Sequence, residues 1–276
     1  FICFRRAGHS EAEDPTIIRT DPTELKLGNI TGLVFDENNS PVENAVIEYS
    51  REIYTTDVNG YFRIKDTGAS AAGGLVKINK DGYFKSFKFA FIETQQTSHL
   101  RIQLIEKNDA QSLNGTNGGI ISVNGGGKIT FPERSLVDEN NVSYEGEATI
   151  YTHWYNPSDD NLNASMPGDL RGVSNDEKLV QLSTFGMMAV EIFSQSGQKL
   201  NLANGITAAI EFPLPQSLAN NAPEEIPTWS LDEQTGVWIE ESTASLNNGN
   251  YIAEVSHFSF WNCDIPANLI KLKGKV

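Results

Sequence analysis

The sequence predicts an all-β protein made of two tandem β-sandwich domains. Helical periodicity is nearly absent. Short runs of alternating apolar and polar residues recur instead, and Gly, Asn, Asp and Pro punctuate them at regular intervals. A chain of 276 residues exceeds the usual size of one domain, so two are expected. The hydrophobic content of 39% is modest, yet it suffices for sandwiches, which bury one face of each strand.

The first strands read as "NITGLVFD", "AVIEYS", "EIYTTD", "GYFRIKD", "GLVKINKDGY" and "HLRIQLIE". Between them, "DENNSPVEN" and "DVNG" hold the residues that tolerate tight or left-handed backbone. Gly60 supplies the positive φ of a close turn, and Tyr61 and Phe62 enter the next strand. Strand length and spacing suit a Greek-key sandwich of about 80 residues. On Gly32, the Pro41 turn, Ala45-Val46, Thr56-Asp57, Gly60-Tyr61-Phe62 and Gly82-Tyr83, residues 26–107 resemble the carboxypeptidase regulatory-like domain. The resemblance implies a transthyretin-like (Ig-like) sandwich that acts as a non-catalytic accessory module.

"KNDAQSLNGTNGG" is polar and rich in Gly and Asn, so residues 108–117 are expected to be a linker. From Gly118, "GGIISVNGGGKITFPERSL" resembles the opening of ZU-type sandwiches. The blocks "MPGDLRG", "LVQLSTFGMMAVEIFSQSGQKLNLANG", "IPTWSLDEQTGVWIEESTA" and "YIAEVSHFSFWNCDIP" are similar to surface proteins of Bacteroidota and to a region of cartilage intermediate layer protein. The second sandwich is thus expected over residues 118–266, with Trp229, Trp238 and Trp261 as packing anchors. The final "LIKLKGKV" echoes "LKLGNITGLV", so residues 267–276 read as the start of a further repeat or a C-terminal tail.

A net charge of −15 disfavours nucleic acid and anionic membrane surfaces as direct partners. Two cysteines, Cys3 and Cys263, are too few for a disulfide-stapled fold. Residues 1–25 read as a tether, with Cys3 as the candidate lipidation site, although Ile2 is not the small residue a lipobox places before its cysteine.

His257-Phe258-Ser259 is the sharpest chemical motif. In autoproteolytic relatives of ZU domains a matching triplet is cut before the serine. The resemblance implies Ser259 as nucleophile and His257 as base; the supporting acid is left unassigned, Glu254 and Asp264 being merely nearby in sequence. Chemistry of this kind needs an activated hydroxyl and a donor to the oxyanion. The plain alternative is a closing strand. No zinc-hydrolase spacing surrounds the four histidines, and a scattered set of His153, His257 and Cys263 is the only ligand alternative left. "VNGGGKIT" is a turn, since Ile129 follows the Lys where a P-loop needs a hydroxyl. Calcium is the one cofactor the turns would suit, through Asp159, Asp160 and Asn161, although no twelve-residue calcium loop is present.

The expected function is a non-enzymatic cell-surface scaffold or binding module, extracytoplasmic and without nucleic-acid partners. The resemblance implies an outer-membrane surface lipoprotein, held to the membrane only by a lipid anchor or by its partner. Its partners would be proteins at the cell surface, such as an outer-membrane β-barrel complex for transport, secretion or barrel assembly. Self-cleavage at Phe258-Ser259 is one alternative. A carbohydrate-binding module using Trp154, Tyr155 and Trp229 is the other.

Overall fold

The computed structural model describes residues 25–70 and 72–267, so Cys3, most of the expected tether and the C-terminal echo lie outside the described residues. Two sheets build the first sandwich. The strands are β1 (Lys26–Phe35), β2 (Val46–Tyr49), β3 (Glu52–Thr55), β4 (Tyr61–Ala69), β5 (Gly74–Asn79), β6 (Ser86–Ala90) and β7 (Thr97–Gln103). One sheet has the order β4-β1-β7 and the other β3-β2-β5-β6. Their facing residues, among them Ile30, Val34, Ile47, Phe62, Ile64, Val76 and Ile78, form a closed core. Alternation sets this: Phe62 and Ile64 point inward while Tyr61, Arg63 and Lys65 point out.

The second sandwich begins inside the expected linker. Gln111–Asn114 is a strand, β8, paired with β12 (Glu147–Tyr155), and its Leu113 is buried. The polar composition of this stretch concealed an edge strand in which one apolar residue faces the core. Next come β9 (Gly119–Val123), β10 (Gly127–Phe131), β11 (Leu136–Val137), β12, a one-turn helix α1 (Leu162–Ser165), β13 (Arg171–Val173) and β14 (Leu179–Ser194). The remaining strands are β15 (Lys199–Leu202), β16 (Ala208–Pro213), β17 (Glu225–Asp232), β18 (Val237–Asn247), β19 (Asn250–Val255) and β20 (Phe260–Ala267). They form one continuous sheet that folds over itself, in the order β11-β15-β14-β20-β17-β18-β19-β16-β10-β9 with β8, β12 and β13 attached.

Strand β14 explains how the two sandwiches meet. Its run Phe185–Val190 is buried at every residue. Phe185, Met188 and Val190 enter the interior of the second sandwich, and Met187 and Ala189 enter a separate apolar layer on its outer face. Phe84 and Phe87 of the first sandwich join that outer layer together with Trp229, Trp238 and Phe260. A strand covered on both faces reads as a continuous apolar run rather than an alternation, as "FGMMAV" does.

The expected Gly60 turn is present. Gly60 has φ +70°, and a Cβ there would lie 2.2 Å from the Val34 carbonyl oxygen. Gly60→Ala is therefore expected to destabilise the protein by about 2 kcal/mol or more, through left-handed strain and a backbone clash. Urea unfolding measures it, and a loss within experimental error would contradict the turn described.

Candidate functional site

Strand β12 turns one face to the first sandwich, and alternation puts Tyr151, His153 and Tyr155 on it in a row. His153 is flanked by two rings, Phe84 at 6.5 Å and Tyr155 at 4.6 Å between centroids. Burial pushes its imidazole down to about 4, against the opposing pull of Asp159, so the ring is neutral at physiological pH.

Polar contacts lock the junction around this stripe. Lys107 forms an ion pair with Glu191 at 2.6 Å and sits among the rings of Phe193, Phe84 and Tyr151, 5.2–6.0 Å from their centroids. Lys88 is buried and donates to the backbone carbonyls of Asn163 and Met166 at 2.9 and 2.7 Å. Its burial pushes the amine down to about 7, even with Asp169 pulling the other way. Arg171 lies 4.2 Å above Phe89 and donates to the Ala72 carbonyl. Gly168 N–H donates to the Phe87 carbonyl at 2.7 Å. Gly236, at φ +72°, lets the β17–β18 turn approach Leu75 and Phe89, where a Cβ would meet them at 2.6 and 3.0 Å.

Sequence reading missed β6, which supplies Phe87 and Lys88, and with it Phe84 just before the strand. The signal was present in "FKSFKFAFI", whose aromatic residues largely alternate with polar ones. What the run did not disclose is that both of its faces would be covered.

At the Tyr155 end of the stripe a cavity of about 260 Å³ opens between the sandwiches. Glu37, Gln103, Ile105, His153, Tyr155 and Asp159 are among the residues that line it. Burial raises the Glu37 carboxyl, and the nearby Glu106 and Asp36 charges add to the rise, against the hydrogen bond from the Glu106 N–H.

The structure corrects the closing-strand reading of His257-Phe258-Ser259. The strand stops at Val255, and the triplet forms the bend by which the chain crosses from β19 to β20. Phe258 is buried against Phe131, 5.1 Å away. Asn201 grips its backbone: Oδ1 accepts from the Phe258 N–H at 2.7 Å and Nδ2 donates to the Phe258 carbonyl at 3.4 Å. The acid beside His257 is Glu241 of β18, 3.0 Å from Nε2, rather than Glu254 or Asp264. Burial alone would raise Glu241, but hydrogen bonds from His257 and Ser230 outweigh it and hold the carboxylate below its usual range. The Ser259 hydroxyl is directed at the Phe260 carbonyl at 3.4 Å. Asp264 is buried, bonded to Asn262, and raised by burial to about 8.

The calcium candidates lie in the turn before α1, where Asp159 Oδ1 accepts the Asn161 N–H at 2.8 Å. Among the described residues no three His, Cys, Asp or Glu side chains converge on a metal position. The structure therefore does not bring His153, His257 and Cys263 together: Cys263 is a buried core thiol, raised by burial, while His153 faces the first sandwich. The proposed glycan platform is likewise dispersed. Trp229 is fully buried with its indole N–H on the Asp264 carbonyl. Trp154 and Tyr155 point to opposite faces of β12, Trp154 over Gly125 and Tyr155 toward the junction. Trp238 and Trp261 are buried as expected.

A family model described as FAM171A1/A2/B, N-terminal, matches residues 113–259. The match begins in β8 and covers most of the segment that resembles ZU-type sandwiches. Cartilage intermediate layer protein 2 from Homo sapiens is 29% identical over 117 residues, 42% of this chain and 10% of the relative. Cartilage intermediate layer protein 1 from Sus scrofa is 22% identical over 118 residues, 42% of this chain and 19% of the relative. The chain thus spans a fifth or less of the curated relatives it matches. Among solved structures, the major pilin subunit BcpA of Bacillus cereus is 11% identical, with 89% of this chain and 94% of that one covered at a TM-score of 0.24. A cohesin–X-dockerin complex chain from Acetivibrio cellulolyticus is 22% identical, with 29% and 58% covered at 0.24. Scores this low carry no argument about function.

The His153 environment has a measurable consequence. The unfolded chain takes up the proton as pH falls through 6.5, whereas the folded chain resists until about 4. Stability is therefore expected to fall across that interval, by at most roughly 3 kcal/mol. Chemical denaturation across the interval, with His153→Phe as control, measures the slope. An unchanged slope in the variant would assign it to other groups.

Proposed function

The chain belongs to the FAM171A1/A2/B N-terminal family, and we propose that it is a non-enzymatic, extracytoplasmic binding module whose two β-sandwiches act as one rigid platform for a protein partner. The observation that carries the reading is the junction. Large rings and the buried Lys88 pack between the sandwiches, so strand edges on one stand in fixed geometry to loops on the other. Fixed geometry suits recognition by several contacts at once, because less ordering is left to binding. Among the described residues strand β3 is the edge of its sheet, with Ile53 72% exposed, the type of edge that partners extend by strand addition. Among the described residues no helix is long and apolar enough to cross a membrane.

The finer setting proposed with this reading is a tether at Cys3 and a membrane-embedded barrel complex as partner. It has the resemblance to bacterial surface proteins behind it. Mild protease treatment of intact cells, followed by fractionation, tests both levels. Cleavage from outside together with membrane retention that depends on Cys3 is expected. Protection of the protein until lysis would overturn the extracytoplasmic reading, and release that ignores Cys3→Ala would overturn the tether.

One observation favours a second reading, self-cleavage at Phe258-Ser259: Asn201 already places a donor on the carbonyl that Ser259 would attack. The hydroxyl oxygen would bond to that carbon as its proton leaves, the C–N bond would break as His257 passes that proton to the departing nitrogen, and water would hydrolyse the resulting ester to the Phe258 carboxylate and the free Ser259 hydroxyl. In this reading His257, backed by Glu241, accepts the hydroxyl proton. Denaturing intact-mass measurement decides it. Two fragments meeting at Phe258-Ser259, abolished by Ser259→Ala, would establish cleavage, and a single mass would remove it.

A further inference from the structure

We propose that the cavity between the sandwiches at the Tyr155 end of β12 binds a small organic ammonium ion. Three features select that chemistry, beyond anything the platform reading requires. First, among the described residues the cavity lining holds two carboxylates, Glu37 and Asp159, and no lysine or arginine. Burial first, and then the like charges of Glu106 and Asp36, raise the Glu37 carboxyl. A recess of one sign between low-dielectric walls concentrates counter-ions.

Second, Tyr155 is 3% exposed and lines the cavity, yet among the described residues its hydroxyl has no hydrogen-bond partner. The oxygen itself is not sealed off, and a donor in the cavity can reach it. The ring packs edge-on to His153 at 4.6 Å and near Phe260 at 6.5 Å, so the hydroxyl is held in place at the cavity wall. An ammonium bound between Glu37 and Tyr155 gives the phenol oxygen an N–H donor and gives the carboxylate a charge partner.

Third, the walls suit an organic cation better than a metal ion. Ile105 and Leu162 are apolar and can meet a ligand chain, while Gln103, Asn156, Asn161 and Ser165 offer neutral polar groups to its head. The imidazole stays neutral down to about pH 4 and does not repel a cation. Among the described residues carboxylates do not converge in threes, and a volume of about 260 Å³ is far more than one ion fills. It is also smaller than the pockets that hold drug-sized molecules, which run from about 300 Å³ upward.

The test uses the isotope-labelled chain and four probes: pentylamine, 1-pentanol, pentanoate and calcium chloride, each titrated at neutral pH. The ring resonances of His153 and Tyr155 are followed by NMR. Pentylamine is expected to shift them saturably with an affinity on the order of 1 mM, about what six non-hydrogen atoms can reach. Pentanol and pentanoate are expected to leave them unmoved. Glu37→Gln should weaken pentylamine about tenfold through the lost charge-assisted bond. Tyr155→Phe should weaken it as well, with the rest of the spectrum retained as evidence of folding. Equal response to pentanol would make the cavity merely apolar and overturn the proposal. Preferential response to calcium would replace it with a metal site. Shifts that never saturate, or that survive both substitutions, would reduce it to diffuse attraction by an acidic surface and overturn it too.

Discussion

The outer face of the β12-β14-β20-β17-β18 layer cannot be left in water. It carries Met187, Ala189, Trp229, Trp238 and Phe260, all at most 3% exposed in the folded protein. Each large side chain of this kind gains roughly 2–3 kcal/mol from burial. Much of that gain depends on the first sandwich lying against the layer, with Phe84 and Phe87 as its contribution. The joint is therefore part of the folding free energy of the second sandwich and not a later docking of two finished units.

Once that apolar contact is fixed, the polar groups at its margin have little choice. Lys88 is carried into the joint with its strand and must satisfy its donors on the carbonyls of Asn163 and Met166. Lys107, leaving the last strand of the first sandwich, finds Glu191 and a cage of rings. His153 is held neutral between Phe84 and Tyr155. The cavity beside it lies between the two sandwiches. Its acidic lining comes from loops of both sandwiches, Glu37 from one and Asp159 from the other.

The corner at His257-Phe258-Ser259 follows the same logic on the opposite side of the layer. The chain must cross between β19 and β20, which lie in different parts of the folded sheet. Asn201 stabilises the crossing by bonding both backbone groups of Phe258, and Trp261 donates its indole N–H to the His257 carbonyl. The motif is thus a structural corner first. The donors at this corner satisfy the backbone where the chain changes direction.

The sequence by itself determined the all-β class, the turn at Gly60 and the burial of Trp229, Trp238 and Trp261. Alternation, turn residues and large aromatic side chains are local signals, and no distant partner is needed to read them. It marked His257-Phe258-Ser259 but assigned the triplet to a strand, since apolar spacing does not show where a chain changes sheets. It read Gln111–Asn114 as linker, because one buried Leu113 among polar residues leaves too weak a period. Only the tertiary structure decided that "FGMMAV" and "FKSFKFAFI" cover each other's layer, that Glu241 stands beside His257, and that Glu37 and Asp159 share one cavity. Even the nearest of these pairs, Glu241 and His257, is 16 positions apart, and a local pattern holds no record of which surfaces will be pressed together to keep a second apolar face dry.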